Sequence, residues 1–210
     1  MKEIRKKLFG DHDPYKDLTV LPLDDQGWNS DSLVFDKVIE ELKPKVIIEV
    51  GTWKGRSAIN MAKICLEHYN DFEIVCVDTF LGSVEHWTGV DSHLPKSSLI
   101  NGRAPIYNQF LSNIVHNNLQ DYITPFPIDS TNGKFTLAKL DVSADLVYID
   151  AGHEYYSVVS DLYHYSSIVR VGGCVLGDDF FYDPVKKAAY DVYDEDKVIE
   201  LSRDKFLWIK

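Results

Sequence analysis

A short apolar run that ends in a glycine-bracketed turn constrains this 210-residue chain more than any other feature. Residues 46–50 are apolar except for Glu49, which predicts a buried strand, and residues 57–66 follow with the spacing of a helix. Gly51 and Gly55 bracket the change from strand to helix, where residues without a Cβ let a backbone bend sharply and lie against a ligand. The first N–H groups of the helix can bind a polar or anionic group. The sequence therefore predicts either a nucleotide-type cradle or a tight turn without a ligand.

The spacing of the glycines separates this turn from two common nucleotide-binding loops. A dinucleotide fingerprint has the pattern G-x-G-x-x-G, and a phosphate loop carries Gly-Lys followed by Ser or Thr. This chain has neither, and its pattern is Glu49-x-Gly51-x-x-x-Gly55-x-Ser57. Asp78 closes the next strand-like run, where a carboxylate can accept hydrogen bonds from both hydroxyls of a ribose. The pattern favours a ribose-containing ligand, and the missing fingerprint weighs against a nicotinamide-dependent oxidoreductase.

Composition narrows the class of protein and of partner. With 45% hydrophobic residues and no repeat or linker, we expect a single domain over residues 1–210, made of an N-terminal arm and helix (1–44) and a core (45–210). The net charge of -11 argues against a nucleic-acid partner. The chain has no apolar run of roughly 20 residues and no signal segment, so we expect no membrane partner and a cytoplasmic location.

Hydrophobic periodicity beyond the turn predicts alternating helices and strands. Helical stripes lie at residues 34–42, 107–115 and 158–165. Strand patterns lie at residues 73–78, 123–128, 146–149, 174–176, 197–201 and 205–209. This order predicts an α/β fold with a doubly wound, mostly parallel sheet and a C-terminal antiparallel hairpin. Ser30 or Ser32 is expected to cap the first of these helices, and the long connection 79–104 to be a lid or binding loop.

Six carboxylates fall at or just beyond the ends of predicted strands. They are Glu49, Asp78, Asp129, Asp150, Asp178 and Asp179. Because the carboxyl ends of parallel strands share one edge of a sheet, that edge is expected to bind the ligand and to concentrate negative charge. Asp150, Asp178 and Asp179 follow two neighbouring strands and would offer hard oxygen ligands, which suit Mg²⁺, Mn²⁺ or Ca²⁺ better than zinc. The alternative is that these three acids cap helices and bind backbone N–H groups or a cofactor directly.

Five short motifs stand in order along the chain. They are Glu49–Ser57 (EVGTWKGRS), Val77–Phe80 (VDTF), Ile128–Ser130 (IDS), Tyr148–Tyr155 (YIDAGHEY) and Gly172–Asp179 (GGCVLGDD). In this order they resemble the motifs of class I S-adenosylmethionine-dependent methyltransferases. Within that family the chain is most similar to the small O-methyltransferases related to those that methylate sugars of macrolide antibiotics. The resemblance implies a Rossmann-like methyltransferase fold, S-adenosylmethionine as cofactor and a small hydroxylated acceptor of the sugar or natural-product kind.

The resemblance also assigns the cofactor contacts. The residues implied around the methionine part are Glu49, Gly51, Thr52, Gly55 and Ser57. Asp78 would bind the ribose, and Asp129 with Ser130 the adenine edge. Phe80 could pack on the adenine ring, although an aromatic residue after a strand is as often part of the core.

Metal-assisted catalysis is a further implication of the resemblance. In the related sugar methyltransferases, acids at the positions of Asp150, Asp178 and Asp179 hold a divalent cation that grips the acceptor hydroxyl, so Mg²⁺ or another hard divalent cation is expected. Those enzymes often carry an Asp at the position of Gly152 as their base. This chain lacks it, so Asp150 and His153 are the candidate catalytic residues, with His153 receiving the proton. Candidates for the acceptor pocket are Trp28, His86 and Trp87.

Two other functions stay open at this point. A nicotinamide-dependent oxidoreductase could use a similar sheet, and a non-catalytic protein that binds adenosylmethionine could retain the cradle. The sequence also leaves open whether the chain forms a homo-oligomer.

Overall fold

The computed structural model describes residues 2–210 and is built on a seven-stranded sheet. The strands are β1 (Val46–Val50), β2 (Glu73–Asp78), β3 (Ile123–Pro127), β4 (Ala144–Ile149), β5 (Val169–Gly177), β6 (Ile199–Glu200) and β7 (Phe206–Ile209). Their order across the sheet is β3-β2-β1-β4-β5-β7-β6. The first five strands pair in parallel, and β7 runs antiparallel to both β5 and β6. This confirms the predicted doubly wound sheet with a C-terminal antiparallel hairpin.

Helices cover both faces of the sheet. They are α1 (Glu3–Phe9), α2 (Leu33–Leu42), α3 (Arg56–His68), α4 (Val84–Thr88), α5 (Ile106–His116), α6 (Ser130–Lys139), α7 (Tyr155–Ser166) and α8 (Asp183–Tyr193). Buried side chains of α2, α3 and α5 form one core with the sheet, and those of α1, α6, α7 and α8 form a second. Successive side chains of a strand point to opposite faces, so Ile47 enters the first core while Ile48 and Val50 enter the second.

Local signals account for the ends of α2. The Ser32 side-chain oxygen accepts a hydrogen bond from the Val34 N–H at 3.3 Å, so Ser32 rather than Ser30 is the N-cap. The helix ends at Lys43 in the left-handed conformation, directly before Pro44, whose ring cannot continue a helix. The helical stripes predicted from the sequence therefore mark real helices here and in α5 and α7.

Besides the short α4 inside the connection 79–104, three helices escaped the sequence analysis. The arm predicted as turn-rich contains α1, where the Glu73 carboxylate accepts hydrogen bonds from the N–H groups of Ile4 (3.0 Å) and Arg5 (2.9 Å). This anchor is a tertiary contact and leaves no periodic signal. Similarly, α6 buries only Gly133 and Leu137, too few positions for a recognisable stripe. The third helix is α8, where charged residues lie between the buried positions and obscured the helical pattern.

Three smaller predictions can also be compared with the structure. The proline-containing strand β3 lies at the edge of the sheet, as prolines without an N–H require. Cys65, Cys76 and Cys174 are buried free thiols. Within residues 2–210, no helix has both the length and the apolar character needed to cross a membrane.

The strand β1 lies between β2 and β4, where the order of the strands reverses. Backbone bonds continue past the strand ends: the Gly51 N–H donates to the Val77 carbonyl at 2.9 Å, and the N–H groups of Asp150 and Asp178 donate to the last carbonyls of β1 and β4. The residues that follow β1, β4 and β5 are thus held side by side. Ligands of open α/β sheets bind at this kind of switch point.

Candidate active site

A cleft of about 830 Å³ opens at the carboxyl edge of the sheet. Its floor consists of residues that follow β1, β2, β4 and β5, and its walls come from the N-terminal arm, the connection after β2 and the loop before α8. The predicted site residues that line it are Gly51, Thr52, Ser57, Asp78, Asp129, Ser130, Asp150, His153, Asp178 and Asp179. The other three, Glu49, Gly55 and Phe80, lie outside the lining.

The two glycines of the turn have different structural roles. Gly51 has a φ of 80°, and a Cβ on it would lie 2.0 Å from the carbonyl oxygen of Asp150, so only glycine allows this approach of two backbones. Gly55 has a φ of 85° and is the N-cap of α3, where a Cβ would lie 2.8 Å from the Phe110 ring. Gly51 therefore shapes the cleft floor, whereas Gly55 permits the packing of α3 against α5.

Glu49 lies beneath the turn and is fully buried. Its carboxylate accepts hydrogen bonds from the hydroxyl of Thr52 at 2.6 Å and from the hydroxyl of Ser57. Burial raises the pKa of Glu49 to about 7, against the opposing effect of these hydroxyls. The side chain thus ties the end of β1 to the start of α3, and the two residues bonded to it line the cleft.

Asp78 is the acid at the end of β2 and is held by backbone amides. Its Oδ2 accepts from the N–H groups of Thr52 (2.9 Å) and Trp53 (3.0 Å), and its Oδ1 accepts from the Phe80 N–H (2.7 Å). Burial raises the pKa of Asp78, and the three amides oppose that effect. A carboxylate offers about four acceptor positions. Oδ1 therefore keeps one acceptor position for a ligand in the cleft.

The residues predicted near the adenine ring differ in their placement. The Phe80 ring is buried in the core, with centroids 5.0 Å from Tyr107 and 5.1 Å from Phe110, which is the core alternative considered for it. Asp129 is the N-cap of α6 and accepts from the Asn132 N–H at 3.0 Å. Ser130 is the first residue of the same helix. Asp129 and Ser130 line the cleft, whereas Phe80 is buried in the core and does not line it.

The three acids predicted to bind a metal are engaged by the protein's own groups. Asp178 Oδ2 accepts hydrogen bonds from Lys205 Nζ and from the Tyr148 hydroxyl, both at 2.6 Å, and that hydroxyl is 3.0 Å from Asp150 Oδ2. Within residues 2–210, no group of three or more His, Cys, Asp or Glu side chains is arranged to hold a metal ion. The predicted site of Asp150, Asp178 and Asp179 is therefore not formed. In the structure, the positive charge beside Asp178 is the Lys205 ammonium at 2.6 Å.

Asp150 is the member of this acidic cluster, defined as Asp150, Asp178 and Asp179, that receives least compensation. Burial raises its pKa well above the usual value, and the charges of the other two acids add to that effect. Lys205 opposes the shift. The cluster therefore contains more carboxylates than the protein provides with cations.

His153 lies in the loop between β4 and α7, two residues before the helix that it was predicted to start. Its Nε2 is 2.8 Å from Asp179 Oδ2, and its Nδ1 is 3.9 Å from Glu85 Oε1. The hydrogen bond with Asp179 is the main cause that raises the pKa of His153 to about 8, against the effect of burial. The ring stacks on Tyr182 at a centroid distance of 5.3 Å. The imidazole is thus oriented at the cleft by one acid and one aromatic ring.

An aromatic wall faces the acidic cluster across the cleft and consists of Trp28, Trp53 and His86. The His86 ring stacks on Trp53 at 4.2 Å, and Trp28 lies 5.9 Å from Trp53. His86 Nδ1 accepts from the Ser83 N–H at 3.1 Å, which puts the proton of the neutral ring on Nε2. That Nε2 is buried without a hydrogen-bond partner. Trp87, also predicted here, bonds to a carbonyl of its own loop and lies outside the lining.

Sequence reasoning missed two residues of the cleft wall and two that lie beneath the floor. Trp53 lies inside the cradle motif at residues 49–57, and Glu85 lies inside the long connection 79–104. In both segments, neighbouring residues were predicted as site residues instead. Tyr148 is in the buried strand β4. Lys205 precedes the apolar strand β7 and is itself fully buried. A lysine at the head of an apolar strand, in a chain with surplus acids at the strand ends, was the available signal.

Residues 48–180 match a family model described as a methyltransferase domain. A comparison with curated proteins gives no match. Similar solved structures include an O-methyltransferase from Bacillus cereus in complex with SAH, at 15% identity over 89% of this chain and 84% of that chain, with a TM-score of 0.61. Another is the O-methyltransferase TomG from Streptomyces achromogenes in complex with SAM, at 12% identity over 90% and 83%, with a TM-score of 0.60. The TDP-rhamnose 3'-O-methyltransferase CalS11 has 16% identity over 84% and 77% and a TM-score of 0.57. At these identities the likeness shows a shared fold.

Proposed function

The chain belongs to the methyltransferase-domain family, and on that premise we propose that it methylates a hydroxyl oxygen of a small acceptor in this cleft. It is an S-adenosylmethionine-dependent methyltransferase of the class I type. When bound, the cofactor supplies a methyl group already activated on a sulfonium. The protein's task is then to position the acceptor and to take its proton.

The observation that carries the proposal is the acceptor position left free on Asp78 in a cradle made of backbone amides. Thr52 and Ser57 line the cleft beside Gly51 and are the residues proposed for the methionine part of the cofactor. Asp78 is proposed for the ribose, because a carboxylate oriented by three amides is pre-organised to accept from a diol. Asp129 and Ser130, on the same cleft, are proposed for the adenine edge.

His153 is the proposed base for the acceptor hydroxyl. In the neutral ring, Nε2 donates to Asp179, so Nδ1 carries the lone pair and can receive a proton. Asp179 orients the ring and stabilises the imidazolium that forms, as a carboxylate does in a catalytic dyad. Asp150 lies on the same floor and is the second proposed catalytic residue.

The aromatic wall is proposed as the acceptor pocket. Flat rings such as Trp28 and Trp53 suit the apolar face of a sugar or the plane of a natural-product ring. Within residues 2–210 the buried Nε2–H of His86 makes no hydrogen bond, although Asp91 Oδ1 lies 3.8 Å from it. An unpaired buried donor is costly, so we propose that an oxygen of the acceptor bonds to it. This supports a hydroxylated acceptor rather than a purely apolar one.

Calorimetry with S-adenosylhomocysteine tests the cofactor part. We expect micromolar affinity, and Asp78→Ala should weaken binding by roughly 10-fold or more because charge-assisted hydrogen bonds are lost. Asp71→Ala is the matched control, since Asp71 is exposed and pairs only with Lys45. No heat and no thermal shift at millimolar ligand would remove the proposal, and a shift with NADH instead would favour an oxidoreductase.

Turnover of variants tests the base. His153→Ala should lower the turnover rate by about 100-fold or more and leave cofactor affinity nearly unchanged, because the group acts mainly in the transition state. His68→Ala, an exposed histidine at the end of α3, is the control. A wild-type rate in His153→Ala with the true acceptor would make His153 structural. Turnover itself would exclude a non-catalytic binding protein.

Three other expectations remain proposals. They are the single domain over residues 1–210, the cytoplasmic location and the exact acceptor class. The assembly state is open as well.

A further inference from the structure

Lys205 is a lysine with no contact to water. Its side chain is fully buried, and its ammonium lies 2.6 Å from Asp178 Oδ2 and 3.1 Å from the Tyr148 hydroxyl. The ammonium also lies over the Phe35 and Tyr148 rings, at 4.9 and 5.0 Å from their centroids. Burying an ammonium is unfavourable by several kcal/mol unless it is paired. A lysine at this position therefore needs the carboxylate of Asp178.

We propose that the Lys205 ammonium is the resident cation of the acidic cluster, in the place where the sequence predicts a divalent metal, so that this methyltransferase works without a metal ion. This inference rests on the proposed function only where turnover is measured. Its binding and stability measurements depend on the protein alone.

Three of the six carboxylate oxygens of the acidic cluster are already bonded, both oxygens of Asp178 and one of Asp179. Asp178 Oδ2 accepts from Lys205 and Tyr148, and Asp178 Oδ1 accepts from the Asp179 N–H at 2.9 Å. Asp179 Oδ2 is bonded to His153. A hard divalent ion needs about six oxygen ligands around it. Water can be some of these ligands, but to offer the ion two carboxylates of the cluster the protein would have to turn Asp178 away from Lys205 or Asp179 away from His153.

The network also reaches the cleft. Lys205 and Asp178 join to Tyr148, and the Tyr148 hydroxyl reaches Asp150, whose carboxylate lies on the cleft floor. An ion pair of the Lys205 ammonium and the Asp178 carboxylate is thus held beneath the floor in a region of low dielectric. Lys205 is a positioning residue in this scheme. It fixes the carboxylates without touching the acceptor.

The wild-type protein gives the first test, with Mn²⁺ as the probe. We expect no saturable Mn²⁺ binding in electron paramagnetic resonance titrations, no change in melting temperature with added Mn²⁺, and a turnover rate unchanged by EDTA. Saturable binding that Asp178→Asn abolishes, or a rate lost to EDTA and restored by Mn²⁺, would overturn the proposal. If turnover is absent altogether, the proposed function fails, while the Mn²⁺ titration still decides this inference.

The second test empties the cation position. Lys205→Ala leaves buried carboxylates without a counter-ion and a space beside them, so Mn²⁺ should raise the melting temperature of this variant by roughly 5 °C or more and leave the wild type unchanged. Lys186→Ala removes an exposed lysine that pairs with Glu200 and should show no Mn²⁺ response. If Lys205→Ala folds and Mn²⁺ does not change its melting temperature, the claim that Lys205 occupies a cation site is overturned.

A third measurement covers the case in which Lys205→Ala does not fold. The variants Lys205→Met, Asp178→Asn and the double variant are compared by urea unfolding. If Lys205 and Asp178 neutralise each other, the double variant should be more stable than Lys205→Met alone, because the unpaired buried carboxylate is gone. Additive losses in the double variant would contradict the pairing.

Discussion

The carboxylates at the ends of β1 and β2 are compensated differently from the two that follow β5. Glu49 and Asp78 accept hydrogen bonds from hydroxyls and backbone amides, which are neutral donors that the glycine turn supplies. Asp178 and Asp179 pair with Lys205 and His153, which can carry positive charge. Neutral donors hold Asp78 in place at the cleft and leave one of its acceptor positions available to a ligand. A full positive countercharge neutralises the charge of the carboxylate, which is then no longer available to a ligand. The difference supports the proposed placement of the cofactor at the ends of β1 and β2.

The largest expected effect concerns the backbone contact between Gly51 and Asp150. Gly51→Ala should destabilise the protein by more than about 3 kcal/mol, because the new Cβ meets the Asp150 carbonyl and φ is positive. Gly89→Ala is the matched control, since Gly89 has φ of 81° and nothing within 4 Å of its Cβ position. It should lose only the cost of the backbone conformation, about 1 kcal/mol. Equal losses by urea unfolding would show that the contact with Asp150 is unimportant.

The next effect concerns the neutral compensation of Glu49. Its pKa is about 7 in the folded protein and lower in the unfolded chain, so between those values the folded state holds more protons and stability falls as pH rises. The fall should be up to about 3 kcal/mol. Glu49→Gln keeps the hydroxyl contacts and should remove this slope. Urea unfolding at several pH values checks it, with exposed Glu40→Gln as control. A slope retained in Glu49→Gln would assign it to another group.

The pair of His153 and Asp179 should respond to pH in the same direction as Glu49, but at higher pH. The Asp179 partner raises the pKa of His153 to about 8, so the pair stabilises the folded protein fully below the unfolded value of about 6.5 and is lost as pH rises through about 8. If His153 is the base, the rate should rise with pH up to about 8. In Asp179→Asn, the rising part of the pH–rate profile should shift toward a pH of about 6.5, because the imidazole loses its carboxylate partner. An unmoved pH–rate profile would separate the titrating group from His153.

The smallest effect concerns Asp129, an acid used locally as a helix cap. Asp129→Ala should cost about 1 kcal/mol of stability, and Asp129→Asn much less, because Asn caps equally well. Binding of S-adenosylhomocysteine to both variants then separates the cap from the proposed adenine contact. If only Asp129→Ala weakens binding, the cap explains the effect. If both weaken it, the charge acts on the cofactor.

The sequence could predict most of the sheet but only part of the helical layer. β1, β2 and β4 are apolar runs buried on both faces, and α2, α5 and α7 have regular stripes, so local pattern was enough. The segment α1 is held by Glu73, a contact between parts of the chain far apart in sequence. No local pattern encodes such a contact, which explains why the arm was expected to lack a helix.

The sequence by itself determined the class of sheet, the glycine turn and the acids at the strand ends, because these depend on side-chain periodicity and on positions that only glycine can occupy. It did not determine what compensates those acids. Tertiary structure decided that, since β7 places Lys205 beside β5 and thereby brings a cation to Asp178. A carboxylate in the sequence can serve a metal, a cofactor or an internal lysine with equal chemistry. Only the fold shows which partner is within 3 Å, and the energy of a buried charge depends on that partner.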